Sequence, residues 1–295
     1  MLQMNQLLNK LILNLKLIFR PVLINGFLFF EKENIRHENW GDDINYYFLR
    51  EIIQRPVLVY NRISLANRLK LKNYLVIGST IDMLCKKNTE VWGAGIIDQQ
   101  KKLKVRPRKV HAVRGPLTRK KLLDNGVDCP EIYGDPALLI SSYYRPKLKK
   151  KYIYGFIPHR SNLELIDKIT VDNIELSQRE DILVIDLSDY NNWKDIIDSI
   201  CKCENILSAS LHGLIMAEAY KIPNLWIEFG KPLIGGHFKF HDFFLSIDKD
   251  RISPYTIVDY ELTSEGIRKE LLSWEPGNIN LQPLIDSAPF PICLK

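Results

Sequence analysis

From residue 70 onward, short apolar runs alternate with segments of helical period, and this alternation restricts the possible folds more than any other feature. A strand, a crossover helix and a parallel strand repeat in this way only when a mostly parallel sheet is covered on both faces. "YLVIGST" (74–80), "VWGAGI" (91–96), "KVHAVRG" (109–115) and "IYGDPALLI" (132–140) read as strands or strand ends. "PLTRKKLLDNG" places Pro116 at a first-turn position and Gly126 where a helix should stop. "GDDINYYFLREII" reads as a loop feeding an amphipathic helix.

The alternation pauses at "SSYYRPKLKKK" (141–151), whose polar, basic, proline-containing composition suits a linker. It then resumes with "YIYGFIPH" (152–159), "ILVIDLS" (182–188), "NILSAS" (205–210) and "NLWIEF" (224–229) as strands, and a helix from 191 to 204 carries Trp193, Ile196, Ile197 and Ile200 on one face. The fold expected is therefore α/β, with two Rossmann-like lobes of mostly parallel sheet facing a cleft. The boundaries expected are 1–145 for the first lobe, 146–262 for the second, and 263–295 for a late helix and tail able to pack back on the first. With 295 residues, 46% of them hydrophobic, the chain is long enough for two moderate cores.

A formal net charge of +6 favours anionic partners such as phosphates, acidic sugars or a membrane surface. No basic run is interleaved with aromatics, so nucleic acid is not expected as a partner. The five cysteines are odd in number and scattered, which suits reduced thiols in the cytoplasm. Cys201 and Cys203 fall in the expected helix with no second Cys/His pair at zinc spacing, so no metal is expected. The first 30 residues mix Leu, Ile and Phe with Lys10, Lys16 and Arg20. Pro21 and the interspersed polar residues count against a spanning helix. Two readings remain: a first core helix and strand, favoured because Asn5, Asn9 and Asn14 form no strongly charged face, or a basic amphipathic segment on the inner face of the cytoplasmic membrane.

Ligands of open parallel sheets gather beyond the carboxyl ends of the strands, where loops and helix N-termini present backbone N–H groups. His212 stands there, between a strand and a helix, with Gly213 allowing close approach and Ser208 and Ser210 adding hydroxyls. A lone histidine at such a corner is ordinarily a packing residue, but a bound anion would favour its protonated form and make it a proton donor. Arg114, followed by Gly115 and a helix, is a natural cradle for phosphate or carboxylate; its neighbours Arg119, Lys120 and Lys121 belong on the outer face. His159 and Arg160 end the first strand of the second lobe. Asn39, Gly41, Asp42 and Asp43 precede a helix, with Asp42 or Asp43 the expected cap. Gly93 and Gly95 follow a strand without completing a dinucleotide fingerprint. "GGHFKFHDFF" (235–244) gathers His237, Lys239, His241 and Asp242 in what reads as a glycine-hinged loop reaching a ligand.

Together, "ENWGDDINYYFLREI", "VWGAGI", "VRGPLTRKKL", "IYGDPALLI", "GFIPHRS", "SASLHGLIMAEAYKIP" and "FKFHDFF" resemble, in order and spacing, the polysaccharide pyruvyl transferase family over roughly residues 37 to 245. The resemblance implies a two-lobed GT-B-like fold and transfer of pyruvate from phosphoenolpyruvate to two hydroxyls of a sugar, as a cyclic ketal, with release of phosphate. It implies no cofactor beyond that donor, an acceptor sugar of a cell-surface polymer, free or lipid-linked, and a cytoplasmic location. His212 then matches the acid/base histidine, and Arg114 a candidate anion clamp. Many members carry an arginine two positions before the histidine. This chain has Ser210 there, so either the donor clamp is shared differently, with Arg160 or Lys239, or this branch has a different anion geometry; Asn39, Gly41, Asp42, Gly93, Gly95 and His159 are expected at the acceptor or cleft. Two alternatives are a glycosyltransferase using a nucleotide sugar and a non-catalytic protein that binds a sugar or lipid phosphate.

Overall fold

The computed structural model describes residues 2–294, with the side chains of 2–7 and 9 outside the described set. The chain divides into two compact units: Met1–Arg36, Asp42–Pro136 and Asn280–Lys295 form the first, and His37–Gly41 with Ala137–Ile279 form the second. Both are α/β, and each is built on one five-stranded parallel sheet.

In the first unit the strands lie in the order Val57–Val59, Val22–Ile24, Asn73–Leu75, Thr89–Trp92, Lys109–Ala112. They are short, and nearly every residue in them is buried, as in a parallel sheet covered on both faces. Pro116–Asp124 is the expected helix, with Pro116 in its first turn and Gly126 beyond its end at φ +68°. Residues 280–295 belong to this unit. Leu284 O accepts from Trp92 Nε1 at 2.8 Å, and Phe290 lies edge-on to Tyr74 and Trp92.

"IYGDPALLI" departs from its expected form. Apart from a single bridge of Tyr133 to Val113, it is a 3-10 turn, Pro136–Leu139, running into the short helix Ile140–Tyr143. A brief buried apolar run has the same hydropathy whether it is strand or helix, and Pro136, unable to donate to a ladder, decides between them. The first strands, Val22–Ile24 and Val57–Val59, carry only three residues each, too few for a period to show.

The second unit repeats the strand order: Ile182–Val184, Tyr152–Ile157, Cys203–Ser208, Asn224–Glu228, Tyr255–Thr256, all parallel. One face packs Phe156, Leu207, Ile227 and Phe229 against Ile169, Val171 and Leu262. Each such large apolar side chain contributes about 1.5–3 kcal/mol when fully buried. Trp193–Cys201 opens with a capping box formed by Asn192 and Asp195 and buries the four residues expected on its inner face. Cys201 ends that helix while Cys203 begins the next strand, so the two thiols are not on one helix. Burial raises them to about 11 and about 12, and Cys85 to about 12. The basic stretch 141–151 is held to this unit, for Tyr144 donates to Asp198 at 2.8 Å and Lys150 to Cys203 O at 2.5 Å. No helix among the described residues is long and apolar enough to cross a membrane.

Candidate active site

Both sheets have the strand order 2-1-3-4-5, in which the chain reverses its winding direction between the first and third strands. In open α/β sheets ligands bind beyond the carboxyl ends of those two strands, where the following loops run apart. In the second unit these strands are Tyr152–Ile157 and Cys203–Ser208, and they deliver His159 and Arg160 from one side and Ser210, His212 and Gly213 from the other.

The His212 corner is built by its own short side chains. Ser208 Oγ donates to Ser210 O at 2.8 Å and accepts from Ser210 N at 3.1 Å, closing a tight turn that starts the helix Leu211–Ala219. Gly213 also has a packing role: a Cβ there would meet Ser208 Oγ at 2.4 Å and Ile157 Cδ1 at 2.9 Å, so the glycine is required for the helix to pack on two strands. His212 is 8% exposed. Its ring packs on the backbone of Gly41, where a Cβ would fall 1.9 Å from Nδ1.

Gly41 reaches that position because residues 37–41 are anchored to the second unit. Trp40 N donates to Leu187 O at 2.8 Å, the fully buried Trp40 indole donates to Trp193 O at 2.7 Å, and His37 stacks on Tyr190. The helix runs Trp40–Ile52, so Gly41, Asp42 and Asp43 lie in its first turn instead of a preceding loop. Its cap is Asn39, whose Oδ1 accepts from Gly41 N at 3.3 Å, while the two aspartates face the positive end of the helix dipole.

His159 and its neighbours form an electropositive group. Burial, reinforced by the charges of Lys239 and Arg160, lowers His159 to about 4, so the ring is neutral near pH 7 and its Nδ1 accepts from Ser161 N at 3.2 Å. Arg160 pairs with Glu38 at 2.9 Å while remaining more than half exposed. Lys239 lies on the helix Phe238–Ser246, as do His241 and the fully buried Asp242. The glycine-hinged part of this segment therefore ends at His237, with Gly235 and Gly236 at φ +77° and +58°.

Sequence reasoning missed one pair. Glu228, the last residue of the strand beside Cys203–Ser208, lies 2.9 Å from Nε2 of His237, whose ring is edge-on to the buried Trp226. A carboxylate so placed holds Nε2 protonated and leaves Nδ1 as the basic nitrogen. The acid at a strand's carboxyl end was the signal available for it in the sequence.

In the first unit, Arg114 follows the strand Lys109–Ala112 but does not present an open cradle. Its side chain is 0% exposed, and it donates to Ser79 Oγ at 2.5 Å and Ile96 O at 2.9 Å. Gly95 leaves it room, since a Cβ there would lie 2.3 Å from the guanidinium carbon. Gly93, at φ +87°, similarly accommodates Pro136. Arg114, Gly93 and Gly95 thus brace three strand-end loops against one another. The sequence could not distinguish this buried arginine from an open anion clamp, because both follow a strand and precede a helix.

A sequence model of the polysaccharide pyruvyl transferase family matches residues 1–230. The uncharacterized protein L143 of Acanthamoeba polyphaga mimivirus is 25% identical over 228 residues, which are 75% of this chain and 76% of the viral one. The succinoglycan biosynthesis protein ExoV of Rhizobium meliloti (strain 1021) is 29% identical over 203 residues, 64% of this chain and 55% of that protein's length. No solved structure matches the chain.

Proposed function

Because the chain belongs to the polysaccharide pyruvyl transferase family, we propose that it transfers pyruvate from phosphoenolpyruvate to two hydroxyls of a sugar in a surface polysaccharide or its precursor. The observation that supports this reading is that His212 and Arg160 follow the third and first strands of one sheet, the two strands that flank its topological switch point. A small, highly charged donor needs cations for its phosphate and carboxylate, and a proton donor for its methylene carbon.

In the proposed mechanism Arg160 and Lys239 hold the donor's anionic groups. Arg160 is more than half exposed in its pair with Glu38, and surface ion pairs are worth about 0–1 kcal/mol. A donor oxygen can therefore take the carboxylate's place at low cost. His212, protonated beside the bound anion, gives its proton to the methylene carbon, which becomes a methyl group. The adjacent carbon becomes electron-poor, and a sugar hydroxyl adds to it as its proton passes to His237, held by Glu228. Phosphate departs with the electrons of its C–O bond. The second hydroxyl closes the ketal, and its proton leaves with phosphate or solvent. A positioned acid contributes about 10²–10⁴-fold, and charge stabilisation by fixed cations supplies much of the remainder. Arg114 enters this scheme as a brace for the loops of the first unit.

Phosphate release from phosphoenolpyruvate in the presence of glycoside acceptors, measured beside turnover of nucleotide sugars, tests the reading. Acceptor-dependent phosphate release with ketal formation is expected. Turnover of a nucleotide sugar and none of phosphoenolpyruvate would replace it with glycosyl transfer.

A further inference from the structure

The N-terminal helix turns Leu8, Leu11, Ile12 and Leu15 outward. Asn14 and Leu17 face the rest of the first unit: Asn14 Oδ1 accepts from Leu65 N at 3.1 Å, and Leu17 packs against the cluster of Leu23, Tyr60, Ile63 and Ala66. The opposite side presents Leu8, Leu11, Ile12 and Leu15 at helical spacing, continued by Ile18 and Phe19. Their exposures run from 43% at Ile12 to 75% at Ile18. Six large apolar side chains in one stripe exceed the scattered exposure of an ordinary surface. Among the described side chains of this helix none is fully buried, so the expectation of a core helix is not met there, although the strand that follows is buried.

Charge at the same edge identifies the partner. Residues 1–30 contain Lys10, Lys16 and Arg20 and no acidic residue. Beside Leu17 lies a cleft of about 330 Å3, lined by Arg20, Arg55 and Lys72 together with Leu23, Leu71 and Tyr74. Arg20, Arg55 and Lys72 precede three neighbouring parallel strands, Val22–Ile24, Val57–Val59 and Asn73–Leu75, so their charges gather at the amino edge of the sheet. Arg55 donates to Arg20 O, which ties the end of the exposed stripe to the cleft. The acid nearest Lys72 is Glu90, at 3.2 Å, and it also pairs with His111 at 2.9 Å.

We propose that this edge docks on an anionic lipid bilayer, with the stripe from Leu8 to Phe19 entering the acyl boundary and the Arg20–Arg55–Lys72 cleft receiving a phosphate headgroup. A soluble polymer would complement the cations but leave the apolar stripe in water, whereas an anionic bilayer satisfies both. The contact lies at the amino edge of the first unit's sheet, opposite the strand ends that carry its Arg114 loops.

Co-flotation of the full chain with vesicles tests this. The wild type should float with phosphatidylcholine vesicles containing phosphatidylglycerol, weakly with phosphatidylcholine alone, and less at high salt. Leu11→Ser/Leu15→Ser and Ile18→Ser/Phe19→Ser alter only outward side chains, so they should retain the wild-type circular dichroism and lose flotation. Arg55→Glu, which replaces one cation by an anion, should weaken partitioning by more than the roughly fivefold expected for loss of a single cation near the surface. A wild type that stays in solution overturns the proposal. So does flotation by the serine variants equal to wild type, which together with displacement by inorganic phosphate would mark the cleft as a free-phosphate site. Sedimentation as a dimer that these substitutions dissociate, without flotation, would assign the stripe to a second copy.

Discussion

At Gly41 one methyl group separates a packed imidazole from a displaced one. Alanine ordinarily favours a helix by about 1 kcal/mol over glycine, yet its Cβ here would lie 1.9 Å from Nδ1 of His212. Gly41→Ala should therefore lower turnover by about 10²-fold or more, approaching the loss in His212→Ala. In the His212→Ala background the same change should become neutral or stabilising in thermal denaturation, because the clash is gone. A second prediction concerns His159, lowered to about 4 by burial and by Lys239 and Arg160. Its unfolded form takes up a proton near pH 6.5 and its folded form only near pH 4, so its contribution to stability is complete above the first value and falls away toward the second. His159→Gln should flatten the loss of stability between pH 7 and pH 4 by about 2–3 kcal/mol in urea titrations. Donor binding, which places negative charge beside this ring, should be accompanied by proton uptake in calorimetry in buffers of different ionisation enthalpy.

At the scale of elements, the turn between Cys203–Ser208 and Leu211–Ala219 was legible because it is local: serines, a glycine and an imidazole in one short run encode it. The Gly41 contact was not, because it depends on Trp40 anchoring a remote segment through Leu187 and Trp193. Arg114 shows the same boundary, for its position after a strand was readable but its burial depends on Ser79 and Gly95 in other loops. The opposite end of the His212 helix has its own support. Buried Glu218 pairs with Lys249 and accepts from Asn224 Nδ2 at 2.9 Å, Gly277 N at 2.9 Å and Trp274 Nε1 at 3.3 Å. Removing that carboxylate leaves the partly buried Lys249 uncompensated and three other donors without their acceptor, so Glu218→Ala should cost about 3 kcal/mol in chemical denaturation. Because Glu218 closes the helix whose first turn holds His212, turnover in the folded fraction should change far less than stability.

Across the whole molecule, the two units share a strand order although the chain shows no internal sequence repeat. The alternation of apolar and helical segments was enough to indicate two parallel sheets. Strand order was not readable, because it is set by which crossover packs on which face. The second unit places an imidazole and cations at its switch point, whereas the loops of the first are braced around a buried arginine. Donor chemistry is therefore proposed for the second unit. The decisive measurement is mass and NMR analysis of the acceptor product formed from phosphoenolpyruvate in heavy water. Protonation by His212 predicts one solvent-derived deuterium in the new methyl group and no product from His212→Ala; a methyl group without solvent deuterium, or undiminished product from that variant, would contradict it.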